Sequence, residues 1–367
     1  MIRYPESWKD LRVVLSHDWL TGMRGGERVL EVLCEGFPRA PIYTLIHRRG
    51  AVSPVIESHP ITPSPLQFVP GIFGLYRYLL PLFPAATSAL RVPEADLLIS
   101  TSHCMAKGVN PRGAKHLCYC FTPMRYAWTF YDEYFGANRL KRAVVAPLLS
   151  AMRKWDRRNS ERVDLFVTLS RHVQERIRKF YGRESEVVYP PVNTDFFTPG
   201  DSRSRDFDLI VSALVPYKRV DLAVRAYNRL GFPLRIVGTG TGFEALRAQA
   251  KPNVEFLGWQ SDEAIRGLYR TCRCLVFPGE EDFGIVPVEA QACGCPVVAF
   301  ARGGATESVA DGVSGVFFGE QTEESLIEAV AKCDQFKWDA AAIRRNAERF
   351  SPQVFVDGMD RCIRACL

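Results

Sequence analysis

No run of 18 or more uninterrupted apolar residues occurs in the 367-residue chain, which argues against a membrane-spanning helix. The nearest approach, residues 71–86 (GIFGLYRYLLPLFPAA), is broken by Arg77 and two prolines. The start, MIRYPESWKDLRVVL, lacks the apolar core of a secretory signal, so a cytoplasmic location is expected. The Cys-x-x-Cys spacing of zinc sites is also missing. The eleven cysteines include three Cys-x-Cys pairs, at 118/120, 272/274 and 293/295, the first two in strand-like runs. They read as reduced, buried thiols acting as small apolar side chains, with no metal site expected. No Gly-x-Gly-x-x-G with an acid some 20 residues later follows the first strand, which disfavours an NAD-dependent oxidoreductase or epimerase. No nucleic-acid-binding motif is present, and no nucleic-acid partner is expected.

What is present points to two α/β domains. The length suits two cores of roughly 150–200 residues each. Charge is unevenly divided: residues 1–190 carry 27 Lys+Arg against 17 Asp+Glu, the remainder 20 against 24. A basic first half suits an anionic surface or substrate. Strand-like runs (LRVVLSH, DLLIST, HLCYCF, LFVTLS, SEVVYP) alternate with helical patterns, including 27–37 and 171–181, the signature of parallel sheets. PPVNTDFFTPG (190–200) reads as a connection. A second series follows: FDLIVSAL, LRIVG, VEFLG, CRCLVFP, CPVVAF and GVFF, with helices at 220–230, 243–250, 262–271 and 286–293. In open parallel sheets, ligands sit beyond the carboxyl ends of the strands. With two such sheets, the cleft between them is the expected site.

Four stretches carry candidate chemistry. In SHDWLTGMRGGERVLEVL, Gly25 and Gly26 permit a tight turn into a helix whose first N–H groups suit an anion. SALVPYKRVDLAV places Lys218 and Arg219 at a helix start, where cations oppose the macrodipole, so a negative ligand is expected to offset them. IVGTGTGFEAL supplies the Gly238–x–Gly240 turn of a phosphate- or nucleotide-binding loop. In EEDFGIVPVEAQACGCPVVAF, Pro287 fits the first turn of a helix and Gly294 its end. The amides of Phe283, Gly284, Ile285 and Val286 then face a ligand, between Glu281 on the preceding loop and Glu289 on the helix.

Glu281-x7-Glu289 around DFGIVPVEA resembles the paired-glutamate motif of the family 4 retaining glycosyltransferases. The order of the other motifs fits along nearly the whole chain, ending with GGATESVADGVSG (303–315). HDWLTGMRGGE, FTPMRYAW and VPYKRVDLA are most similar to bacterial O-antigen and exopolysaccharide mannosyltransferases. The resemblance implies a GT-B fold, with two Rossmann-like domains: 1–190 for the acceptor, 191–345 for the nucleotide sugar, and a C-terminal helix, 346–367, returning to the first. It implies a nucleotide-sugar donor, GDP-mannose, no metal or other cofactor, and a glycan or polyprenyl-diphosphate-linked acceptor. By motif position Lys218, with Arg219, neutralises the leaving diphosphate. Glu281 and the 283–286 backbone hold the sugar, Glu289 binds the ribose, and Gly238 and Gly240 border the nucleotide. Gly25 and Gly26 let the first domain approach the donor.

Asp18, Arg125 and Tyr126 are expected at the acceptor. A same-face route is preferred to double displacement, for which Asp18 and Glu27 lie in the region of the required carboxylate. Two departures from the family pattern are Ala213, where relatives carry Arg, and Phe121, where they carry His. His103 is expected to compensate for the latter. These departures also support an alternative, a subunit that binds a nucleotide sugar without turnover. Residues 68–86 and 139–159 combine apolar and cationic side chains that suit a peripheral site on an anionic membrane face.

Overall fold

The computed structural model describes residues 2–128, 139–200 and 205–367, the side chains of Arg77 and residues 139–145 excepted. The chain divides into two compact units: Met1–Pro191 with Phe355–Leu367, and Val192–Val354. Each is an α/β unit built on one parallel sheet.

The sheet of the first unit contains β1 (Val13–His17), β2 (Ile42–Thr44), β3 (Ile61–Pro63), β4 (Leu97–Ser102), β5 (Lys115–Cys120), β6 (Leu165–Thr168) and β7 (Glu186–Val187). Their spatial order is β3-β2-β1-β4-β5-β6-β7, with all pairs parallel. β1 and β4 are buried along their whole length, as a central parallel strand covered on both faces requires. The sequence reading finds five of these strands and misses β2 and β3. Each is only three residues long, and Pro41, Pro60 and Pro63 surround or enter them. Proline is tolerated in β3 because that strand lies at the sheet edge.

The second unit repeats the plan with β8 (Asp208–Val211), β9 (Leu234–Val237), β10 (Val254–Gly258), β11 (Leu275–Phe277), β12 (Val297–Phe300) and β13 (Gly315–Phe318). Their order is β10-β9-β8-β11-β12-β13. Helix Val220–Leu230 packs its buried face on this sheet and ends at Gly231, whose φ of 70° is left-handed. In both sheets the chain runs outward in one direction, then restarts beside its first strand. The reversal falls between β1 and β4 in one unit and between β8 and β11 in the other. Ligand crevices in open α/β sheets form at such reversals.

Phe355–Leu367 completes the first unit. Trp8 Nε1 donates to Asp360 Oδ1 at 3.0 Å, and Phe355 packs edge-on to Tyr119. All eleven cysteines are buried and none is in a disulfide. Cys118 and Cys120 lie in β5 as expected, but Cys272 caps helix Asp262–Thr271 and Cys274 precedes β11, so that pair is not within a strand. The two stretches read as membrane-facing differ. Helix Arg139–Ser160 turns Leu149 and Met152 into the core, so its described apolar face is occupied. Its residues Arg139, Lys141 and Arg142 lie outside the described side chains. Residues 68–82 instead leave Phe68 (83%) and Tyr78 (81%) exposed, with Leu75 and Leu82 half open. No described helix is long and apolar enough to cross a membrane.

Candidate functional site

In the second unit the reversal is lined by the loops after β8 and β11. After β8 the chain makes a short helical turn, Pro216–Lys218, and Arg219 adopts φ 53° before helix Val220–Leu230 begins. That left-handed conformation is uncommon for a residue with a side chain. After β11 comes Pro278-Gly279-Glu280-Glu281. A Cβ on Gly279 would lie 2.9 Å from Lys218 Cα, so the missing side chain lets the two loops touch. Lys218 Nζ and Glu281 Oε1 meet in an ion pair, with 19% and 12% of the two side chains exposed. The cation and the carboxylate picked out from separate motifs, 63 residues apart, are therefore direct neighbours.

A third loop, after β12, fixes the backbone that bears the carboxylate. Gly304 N donates to Glu281 O at 2.8 Å. A Cβ on Gly303 would be 2.4 Å from that same oxygen, and one on Gly304 would be 2.2 Å from Phe283 Cα. Gly303 and Gly304 thus strap the 281–283 backbone in place. Gly284, at φ 91°, turns the chain into helix Ile285–Ala292. The helix begins one residue before the expected Val286, so Ile285 and Val286 present first-turn amides, while Pro287 has none. The Phe283 ring is buried against Phe350, which leaves its backbone as the group near the helix mouth.

Glu289, on that helix, accepts a hydrogen bond from Tyr269 O–H at 3.1 Å. Burial and then the Glu289 charge push the Tyr269 phenol well above its ordinary pKa. The Gly238–x–Gly240 turn lies directly against the loop leading to Lys218. Cβ atoms there would fall 1.9 Å from Ser212 O and 2.3 Å from Leu214 O. Arg219, expected beside Lys218 at the diphosphate, is directed to Asp221 Oδ1 (3.3 Å) and Gln321 Oε1 (2.7 Å). Sequence reasoning missed Gly279, Tyr269 and Gln321. Only the glycine after Pro278 left a trace in the sequence.

In the first unit the loops after β1, β4 and β5 bring together His17, Asp18, His103 and Phe121, with helix Gly25–Gly36 starting beside them. A Cβ on Gly26 would lie 3.2 Å from the Phe121 ring. Asp18, expected at the acceptor, is wholly buried. It accepts the backbone N–H groups of His103 (2.6 Å), Cys104 (2.9 Å), Met105 (2.5 Å) and Ala106 (2.7 Å), and His103 Nδ1 stands 2.9 Å away. Its carboxylate is an internal clamp, which corrects its assignment as an acceptor contact.

Glu27 is likewise buried, 3.8 Å from His17 Nε2. Burial opposes its ionisation, but His17 holds it below the ordinary carboxylate range. Neither acid is presented as an open nucleophile. Phe121 is almost covered and stands near His17, His103 and Tyr119, an apolar wall where a polar contact was the family pattern. Arg125 and Tyr126 are partly covered on the short helix Arg125–Trp128, with Tyr126 against the neighbouring apolar cluster.

Comparisons with known proteins agree with this architecture. Residues 23–196 match the family model "Glycosyltransferase Family 4", and residues 194–350 match "Glycosyl transferases group 1". An uncharacterized glycosyltransferase of Methanocaldococcus jannaschii is 28% identical over 51% of this chain and 54% of its own length. A D-inositol 3-phosphate glycosyltransferase of Mycobacteroides abscessus is 35% identical over 40% of this chain and 38% of its own. The chain thus spans about half, or less, of the curated relatives it matches. Among solved structures, Anabaena HepE in complex with UDP and glucose superposes with a TM-score of 0.69 at 19% identity, over 96% of this chain and 99% of that one. At that identity the likeness shows the fold, which is GT-B.

Proposed function

We propose that this chain, whose residues 23–196 and 194–350 match glycosyltransferase family models, moves a hexose from a nucleotide-diphosphate sugar to a glycan hydroxyl. The Lys218–Glu281 pair at the second unit's sheet reversal carries this reading. On donor binding Lys218 exchanges part of its contact with Glu281 for the diphosphate, and Glu281 turns to the sugar hydroxyls. A cation about 4 Å from a phosphate oxygen contributes on the order of 4 kcal/mol at an effective dielectric near 20, before desolvation. The Ile285 and Val286 amides and the glycine turn at 238–240 suit the remaining phosphate and nucleotide atoms, and Glu289 suits the ribose.

GDP-mannose is the donor we favour, from the resemblance to O-antigen and exopolysaccharide mannosyltransferases. The UDP and glucose of the HepE complex make UDP-glucose the donor to test against it. Transfer proceeds with retention by the same-face route: Lys218 stabilises the charge developing on the leaving phosphate, which helps deprotonate the acceptor. The buried settings of Asp18 and Glu27 support this over double displacement. Catalysis is proposed to be metal-independent, so EDTA should leave turnover unchanged. The first unit takes the acceptor. Exposed Phe68 and Tyr78, on a basic half of the chain, suit a lipid-linked one at the inner face of an anionic cytoplasmic membrane.

The deciding experiment is a thermal-shift screen of nucleotide sugars, followed by assay of donor hydrolysis and product anomer. A donor at 100 times its Kd stabilises by about 2.7 kcal/mol. Stabilisation with GDP-mannose but not UDP-glucose supports the specific reading. Binding with an intact donor would instead favour the non-catalytic subunit suggested by Ala213 and Phe121.

A further inference from the structure

The carboxylate–imidazole pair in the first unit has no role in that scheme. Asp18 follows β1 and His103 follows β4, the two strands that flank the sheet reversal. Burial alone would raise the Asp18 pKa, but the His103 ring and the amide donors outweigh it and hold the carboxyl well below its usual range. An ionised carboxylate only accepts, so the His103 nitrogen facing it carries the proton.

The segment bearing His103 is fixed from its other side as well. Buried Lys107 pairs with buried Asp156 and donates to Cys104 O at 3.1 Å. Gly108 admits the Trp155 ring, which a Cβ would meet at 2.5 Å. The His103 ring stands edge-on to Trp19, with centroids 4.5 Å apart, and 30% of the side chain remains open. Two carboxylates, neither exposed, thus hold the one short segment that carries the part-open His103 ring.

We infer that Asp18 is a positioning residue that holds His103 as its Nδ1–H tautomer, leaving Nε2 to accept a hydrogen bond from a hydroxyl of a sugar bound at this sheet reversal. The inference rests on the transferase reading, which supplies the sugar. The surroundings suit such a ligand, because the part-open His103 offers one acceptor nitrogen beside rings of Trp19 and Phe121 that are otherwise covered. Asp18 acts through His103 and touches no substrate.

The test uses the full chain and two substitutions that divide the ring's functions. His103→Asn keeps an N–H for Asp18 but places nothing at Nε2, whereas His103→Gln places an amide oxygen near Nε2 and gives up the clamp. With whichever donor the wild type turns over, His103→Asn is expected to lower kcat/KM for transfer about tenfold, the worth of one hydrogen bond. His103→Gln should recover most of that loss. Recovery by Asn rather than Gln would make the ring merely structural and overturn the inference. Histidine-selective ¹⁵N NMR, with the His103 signal assigned by its loss in His103→Asn, should show Nδ1 protonated; a protonated Nε2 with bare Nδ1 overturns it independently of activity. A folded wild type that turns over no nucleotide sugar would instead overturn the transferase reading and the inference with it, an outcome distinct from equal rates in wild type and His103→Asn.

Discussion

Lys218 and Glu281 form a direct ion pair, which gives each substitution a distinct signature. Lys218→Ala should lower kcat by on the order of 10²–10³-fold, with a smaller loss of donor affinity measured by calorimetry. Equal losses would make the lysine a binding group only. Glu281→Gln should weaken the sugar contact and free the lysine, raising the donor KM more than it lowers kcat. Tyr269→Phe removes the hydroxyl that orients Glu289, a hydrogen bond worth about 1 kcal/mol, so nucleotide affinity should fall about fivefold with the fold intact. These residues differ in how far the sequence disclosed them. The two glutamates and the lysine stand out because charge beside glycine at a helix mouth is chemically pointed. Tyr269 has no such mark, since an aromatic in an amphipathic helix reads as core until its hydroxyl is seen to have a partner.

Several glycines set the spacing of the loops. Gly240→Ala would drive a methyl group to 2.3 Å from Leu214 O, and because that neighbour is backbone it cannot rotate aside. A cost of roughly 1–3 kcal/mol is expected in urea unfolding, with loss of donor binding at equal or greater sensitivity. Gly319→Ala, which meets nothing within 4 Å, is the control and should be near neutral. The elements themselves were well marked in the sequence. Helices 171–181, 220–230 and 262–271 begin and end where the periodicity, Ser and Gly caps indicate. β2 and β3 escaped because three residues cannot display a period, and Gly303–Gly304 escaped because close backbone approach has no local pattern. Arg219 escaped for another reason: its adjacency to Lys218 suggested a shared ligand, whereas its left-handed backbone and the distant Gln321 determine where it points.

At the scale of the molecule, acid should destabilise the first unit through its buried titratable groups. His116 in β5 is fully buried beside Ser100, and desolvation lowers its pKa to about 4. The unfolded ring, near 6.5, takes a proton that the folded one refuses. Stability is therefore intact above about pH 6.5 and falls progressively as pH drops toward 4, by about 3 kcal/mol in all. Asp18, depressed below its ordinary range, adds a loss of the same sign at still lower pH. Urea titrations at pH 7 and 4.5 should show the first loss, and His116→Gln should flatten it. The proposed membrane attachment is also tested at this scale: liposomes rich in anionic lipid should sediment the wild type at low salt, and Phe68→Ser with Tyr78→Ser should release it. Retention of the double variant would place the attachment elsewhere.

The segment 355–367, which packs on Trp8 and Tyr119, is translated only after the whole of residues 192–354. During synthesis the amino-terminal unit is therefore expected to lack this last part of its core until the middle of the polypeptide has been made. Such an order would invert the usual N-terminal-first sequence of folding, and a released chain ending at Val354 should show a protease-resistant middle and a labile beginning.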